Sequence, residues 1–431
     1  MSLLRKGILV SGGQVFGITL NMLAGILFSR TLGPDGMGQV DLFRSTGTIV
    51  AVVFALGLGP ASIYLLNNRK VPLVAIVTNS VKVSVVLGAV LATALAVTIL
   101  RVPEYFGVVS AAVAIAFSVG VGALLMTSLV RPVLVAQLAA RRMVAVDLAP
   151  PAIILLAGTA LWLVGCLEPG IVLAVGALGC IAGAAMVVTF LRREVHLARP
   201  FDWSLLGQGL VYGLKLAAAN VLYVLSYNVT VLLLRYLTPE RFGDVGLYTR
   251  AVAICGLVTL VPSAIGPLLY ARWSGMTGQA RTNQAEMALR LNVTYGATAM
   301  VGILLLGKYI IWILYGAAFI PAEATFVFLA PALFFIPIFG VCNNLLASDG
   351  RAALSAFILA GTVVVVSVVT WVGVPLWGIR GAALAALCGN AFTAVAAMAA
   401  CASLYGMNPL RCFLLRRLDV AYIIQSLRGR A

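Results

Sequence analysis

The sequence predicts an all-α polytopic membrane protein with about 12 transmembrane helices. Its 431 residues are 62% hydrophobic and only 10% charged, whereas a soluble domain carries about a quarter charged residues. Apolar runs of roughly 20 residues, enough to cross a hydrocarbon core, recur from end to end. An internal repeat at one fixed offset sorts those runs into two sets of six. Mean hydropathy is +1.09, and the gaps between runs are too short to hold a soluble domain.

The predicted spans cover 8–30, 42–66, 73–99, 106–130, 144–165 and 171–190 in the first set. The second set covers 205–235, 246–270, 291–314, 324–347, 353–374 and 381–404. The opening MSLLRKGILVSGG places two basic residues before an apolar run, as a signal peptide does. Gln14, Asn21 and several glycines interrupt that run, no cleavage site is evident, and more spans follow. It reads as the first retained helix. This gives a lobe over 1–200, a second over 201–410 and a basic tail over 411–431.

An even number of spans puts both termini on one side, and positive charge selects which. Segments on the N-terminal side hold 19 of the 29 Lys and Arg, so that side is cytoplasmic; a bacterial inner membrane is the expected location. The net charge of +16 is thereby largely a topology signal that also touches anionic headgroups. No nucleic-acid partner is expected, since no basic soluble surface exists to bind one. The seven cysteines form no C-x-x-C pair and read as small buried hydrophobes. His196 is the only histidine, which leaves no histidine-ligated metal site and no His-based catalytic triad. No cofactor is expected, and nothing points to an enzyme.

Residues 30–43 read RTLGPDGMGQVDLF and residues 235–248 read RYLTPERFGDVGLY. Arg, Leu, Pro, an acid, Gly, Val, Leu and an aromatic recur at a constant offset of 205. Each segment joins the first and second spans of a six-helix half on the outer side. Halves of six spans keep the same orientation, so a pseudo-two-fold axis along the membrane normal relates them. Binding is then expected between them, near mid-membrane.

The first of these turns resembles the signature loop of the polysaccharide/O-antigen flippases, lipid-linked oligosaccharide transporters of the multidrug, oligosaccharidyl-lipid and polysaccharide exporter superfamily. Three further segments resemble that family in order and spacing. They are VRPVLVAQLAARR (130–142), the stretch from LYGAAFIPAEA to LLASDGR (314–351), and PLWGIRGAALAAL (375–387). The resemblance covers nearly the whole chain. It implies two lobes around a central cavity that opens alternately to either side. It also implies an anionic substrate, a polyprenyl diphosphate bearing a glycan, with membrane lipids and polysaccharide polymerase or biosynthesis machinery as partners. A diphosphate in a low-dielectric cleft needs cations, and charge inside a membrane is functional by default.

Six basic residues are candidates for that cationic cavity. Lys215 lies about ten residues into the seventh span and shares a face with Tyr223, Ser226 and Thr230, with Asn220 and Tyr227 on its flank. That stripe reads as a cavity lining or as interhelical hydrogen bonding beside a snorkelling lysine. Lys82, beside Asn79, Ser80 and Ser84, carries the same two readings. Arg30 and Arg235 are repeat-equivalent; each is a substrate contact or a cation on the last carbonyls of its helix. Arg44 and Arg250 sit near helix starts, where a cation opposes the dipole, so an anion is expected nearby. Asp41 and Asp244 are the bland partners and a substrate phosphate the sharper one. Gln14 and Asn21 share a face of the first span, where Gly13, Gly17, Asn21 and Gly25 equally suit close helix packing. Asn343 suits a sugar or a neighbouring helix.

Of the 13 acids only Asp147 approaches a span interior, and it is placed at a cytoplasmic helix start, before Pro150 and Pro151. No membrane-centre carboxylate offers a proton or sodium site. Outward movement of an uncompensated anion gains about 2.3 kcal/mol per charge per 100 mV without one. A drug or metabolite cation antiporter of the same superfamily is the alternative, expected to have acids in its cavity. A membrane polysaccharide polymerase or glycosyltransferase would need larger outer loops or paired acids.

Overall fold

The computed structural model describes residues 3–196, 198–276 and 278–413. They form two compact units, 1–246 and 247–431. The chain runs through α1 (Leu3–Phe54), α2 (Leu58–Asn67), α3 (Leu73–Arg101), the short α4 (Pro103–Phe106), α5 (Ala111–Ala136), α6 (Ala140–Leu163) and α7 (Pro169–Phe190). It continues through α8 (Trp203–Leu237), α9 (Phe242–Val258), α10 (Leu260–Ser274), α11 (Gly278–Tyr315), α12 (Phe326–Ser348), α13 (Ala352–Trp377) and α14 (Ile379–Tyr405). No strand occurs among the described residues. Ten helices there are individually long and apolar enough to cross a membrane.

Ten and twelve are reconciled by two places where the helices depart from the predicted runs. The first is α1, which holds two spans. Gly33 breaks its helical path at φ 68°, ψ −175°, immediately before Pro34. Gly13 and Gly17 pack on Val144 and Leu148 of α6, and Phe28 packs on Gly158, so this arm runs parallel to α6. Beyond the break Gly47 meets Phe117 and Val121 of α5, and Gly59 of α2 meets Ser128 and Pro132. That arm therefore runs parallel to α5, and α5 and α6 are antiparallel across a three-residue turn. The arms of α1 reverse at Gly33, as the predicted outer turn requires. The second place is the eighth predicted span, which is split into α9 and α10 at Thr259.

Packing inside each unit uses the small residues that membrane helices need, because lipid supplies no hydrophobic drive between them. Gly88 of α3 faces Gly122 of α5 backbone to backbone, and Gly373 of α13 faces Gly381 of α14. The second unit has a core of Trp273, Leu289, Val293, Leu345 and Met398, with Cys342, Cys401 and Cys412 buried in it. Cys255 is also buried, whereas Cys166 is exposed, so burial accounts for most but not all of the thiols. Large apolar side chains face outward, Phe357 at 82% exposure among them, as lipid contact demands.

By its contacts α8 belongs with the first unit, although the duplication assigns it to the second half. Its whole length is stitched there. At its N-terminal end Thr78, Asn79 and Lys82 of α3 hold the backbone of Glu194, His196, Arg199 and Asp202 in the preceding linker. Further along, Tyr212 stacks on Tyr64 with ring centroids 4.0 Å apart. At its far end Tyr105 donates its hydroxyl to the Leu232 carbonyl.

Candidate functional site

Both second-of-half helices are interrupted, and at corresponding positions. In the first unit the break falls at Ala55–Gly57, between α1 and α2. The offset of 205 carries Phe54 onto Thr259, the residue between α9 and α10. Interrupted helices in matching places of two halves mark the binding region of a duplicated transporter, since irregular backbone is tolerated at membrane depth only where protein or a cavity receives it. Each break has a local cause. Pro262 supplies no N–H to the Val258 carbonyl, and the Tyr295 hydroxyl takes that carbonyl instead at 2.8 Å. In the first unit Leu56 (φ 49°) and Gly57 (φ 68°) are both left-handed. A left-handed non-glycine residue costs about 1–2 kcal/mol. At Gly57 a side chain has no room, because a Cβ would lie 2.0 Å from the Gly213 carbonyl oxygen of α8.

That close approach sets the register of α8 against the break. Lys215 is two residues further along α8; its side chain lies outside the described residues. Beyond it, Asn220, Tyr223 and Tyr227 are exposed. The face they share is buried on one side of them at Gly213 and Ala217, and on the other at Thr230, Val231 and Leu234. That face of α8 is packed at both ends and open between. Tyr223 and Tyr227 form a tilted pair there, centroids 5.0 Å apart. Gln14 and Asn21 are likewise exposed on α1, on a face that becomes buried toward Gly25 and Phe28.

The basic candidates divide by what their donors meet. Arg30 and Arg44 are exposed. Lys82 donates from Nζ to the Arg199 carbonyl at 2.6 Å. Arg235 is 2% exposed and caged. Its Nε donates to the Tyr105 carbonyl and Nη2 to that of Glu104, both at 2.7 Å, while Nη1 donates to the carbonyls of Thr238 and Pro239. Its guanidinium lies 3.6 Å from the Phe242 ring centroid. Arg235 thus sits on the end of its own helix and also binds the α4 segment at Glu104 and Tyr105. The desolvating cage pushes the Tyr105 phenol up to about 12, against the opposing pull of Arg235. In the second unit Arg250 is buried with its guanidinium 5.6 Å from the Tyr315 ring centroid, and Asn343 is half-buried on α12. Asp41 is buried, and burial raises the Asp244 carboxyl above its ordinary value.

One pair was not anticipated. Arg131 of α5 grips Asp147 of α6 with Nε to Oδ1 at 2.6 Å and Nη2 to Oδ2 at 2.5 Å. The helices extend past the predicted boundaries, so Arg131 sits inside α5 and Asp147 lies seven residues into α6 rather than at its start. Pro132 rests against Gly59 beside the break, and the Asp147 carbonyl faces Gly17 of α1. Pro151 supplies no N–H to that carbonyl, and Pro132 none to the Ser128 carbonyl that faces Gly59. The sequence signals available were the Gly57-Leu58-Gly59-Pro60 and Val261-Pro262 runs inside otherwise apolar spans, and one acid within helical reach of one arginine. Among the described residues no cluster of His, Cys, Asp or Glu could hold a metal ion.

No family sequence profile and no curated protein matches the chain. Solved structures do. It resembles a multidrug-resistance MATE-family transporter of the MOP superfamily in an inward-facing conformation, with TM-score 0.73 and 16% identity over 89% of this chain and 92% of that one. An outward-facing MATE transporter matches with TM-score 0.64 and 15% identity over 91% and 93%. A MOP-superfamily transporter from Pyrococcus furiosus, described as having a binding pocket of reversed polarity that suggests a different function, matches with TM-score 0.66 and 14% identity over 92% and 93%. The chain has the all-helical, multi-pass membrane fold of the MATE transporters over nearly its whole length.

Proposed function

We propose that this protein is a flippase that moves polyprenyl-diphosphate-linked oligosaccharide from the cytoplasmic to the outer leaflet of a bacterial inner membrane, with both termini cytoplasmic. The observation that carries the reading is the sign of the exposed charge. Arg30 and Arg44 are exposed on α1, whereas Asp41 of α1 is buried and Asp147 of α6 is gripped by Arg131. Such a site suits an anion. In the first unit Arg44, Arg30 and Lys215 are the residues assigned to the diphosphate, with Gln14, Asn21, Asn220, Tyr223 and Tyr227 as polar contacts for the glycan. Arg235 and Lys82 serve by holding backbone in place. Relatives recorded in inward- and outward-facing states support alternating access by two lobes. The relative with reversed pocket polarity supports a departure from drug transport within this fold.

Cation antiport is the second reading, favoured by the multidrug descriptions of the MATE relatives. The two are separated by ligand-induced stabilisation of the purified protein, since a ligand that binds only the folded state raises the melting temperature. A lipid-diphosphate oligosaccharide should stabilise the wild type and fail to stabilise Arg44→Glu. Stabilisation by a lipophilic cation and not by the diphosphate lipid would favour the antiporter.

A further inference from the structure

We infer that Arg131 is a phosphate-binding residue of the transport path, held by Asp147 as an internal competitor until a substrate diphosphate displaces the carboxylate. The flippase reading supplies the identity of the diphosphate; the anion site itself stands on the following geometry.

A guanidinium fork fits carboxylate and phosphate alike, because both present two oxygens at the spacing of its two parallel N–H groups. Asp147 occupies that fork fully, through Nε and Nη2. Its two oxygens stand where two phosphate oxygens would bind. The third nitrogen, Nη1, meets no protein acceptor among the described residues, so one edge of the arginine is open to an incoming oxyanion while the pair is intact.

The pair is also reachable. Arg131 and Asp147 are 27% and 22% exposed, although α6, α2 and α1 surround them. Arg235, whose donors are all spent on carbonyls, is 2% exposed. The pair is part-exposed, Pro132 next to Arg131 rests against Gly59 just past the α1–α2 break, and Arg141 is exposed at the start of α6 to meet an arriving anion. Exchange of one oxyanion for another keeps the arginine paired throughout, and it is the Asp147 carboxylate that loses its partner. The carboxylate set free adds repulsion that favours onward movement of the anion.

The sign of one substitution distinguishes this from a structural clamp. Binding of inorganic pyrophosphate and of geranyl diphosphate is measured on the purified full-length protein by calorimetry. Asp147→Asn removes the competing charge and keeps an acceptor for the fork. It should tighten both ligands at least roughly fivefold, the lower end of ordinary site-to-site coupling. Arg131→Gln in that background should abolish the gain. Tightening confined to geranyl diphosphate identifies a lipid-borne anion as the ligand; equal tightening identifies the diphosphate alone. Affinity that is unchanged or weaker in Asp147→Asn overturns the inference. Should Asp147→Asn fold poorly, Arg131→Lys in the wild type keeps the charge and loses the fork. It should weaken pyrophosphate, and retained affinity overturns the assignment. A protein that shows these contrasts but flips no lipid-linked oligosaccharide would sink the flippase reading and leave this site standing.

Discussion

The carboxamide of Asn79 holds the backbone of Asp202 from both directions, donating to its carbonyl at 2.8 Å and accepting from its amide at 3.0 Å. Asp202 in turn caps α8 by accepting from the Leu205 amide. One side chain on α3 thereby fixes where α8 begins, and with it the register of every polar residue α8 carries. Asn79→Ala removes both bonds at a buried site and should cost about 1–3 kcal/mol, the penalty for orphaned buried polar groups. Thermal unfolding in detergent checks this, and unchanged stability would show that the linker finds its place without Asn79.

Arg235 spends its donors on four carbonyls around the outer loop. Lysine cannot reach in three directions from one plane. Arg235→Lys and Arg235→Gln should therefore both lower the melting temperature, and transport per folded molecule should stay near wild type. Selective loss of transport in a normally folded Arg235→Lys protein would return this residue to the substrate site.

Gly57 combines a left-handed backbone with the approach of the Gly213 carbonyl. Gly57→Ala must push α8 away from the break. The expected result is a destabilised protein, by about 2 kcal/mol or more on the scale of strained and overpacked sites. An alanine variant as stable as the wild type would contradict the backbone contact.

Asp349 sits between Arg281, Arg351 and the Tyr405 hydroxyl in the turn between α12 and α13. The hydrogen bond from Arg281 holds its carboxyl below the ordinary value of 3.8, against an opposing push from burial. Folding therefore favours the ionised form. The stability it contributes is fully present above pH about 4 and is lost as pH falls below that through the depressed value. Asp349→Asn should flatten the acid limb of a melting-temperature profile and leave its slope near neutrality unchanged. An identical acid limb in both proteins would show that Asp349 is not held ionised.

The membrane spans were legible because each is long, apolar and bounded by charge, and the outer turns because proline, acid and glycine recur at one offset. The break in each second helix showed only as the Gly57-Leu58-Gly59-Pro60 and Val261-Pro262 runs, since the residues around them are as apolar as the rest of the helix. Only the position of Gly213 shows why Gly57 must be glycine. Arg131 and Asp147 were both visible, but their meeting depends on α5 and α6 continuing as helices past the residues at which hydropathy falls. Arg235 was legible as a helix-end cation; the carbonyls of Glu104 and Tyr105, 130 residues away in sequence, were not. Lys82 carried both a cavity and a snorkelling reading, and nothing in the sequence tells that the linker folds back onto α3 to receive its Nζ.

The central claim is tested most directly by reconstituted flipping. A diphosphate-linked oligosaccharide is placed in one leaflet of proteoliposomes, and its arrival in the other is scored with an impermeant lectin. The account predicts protein-dependent transfer that falls by an order of magnitude in Lys215→Ala or Arg44→Ala while the folded yield is kept, about the loss of one charge-assisted contact. No transfer by wild-type protein, together with extrusion of a soluble cationic dye under a proton or sodium gradient, would contradict it.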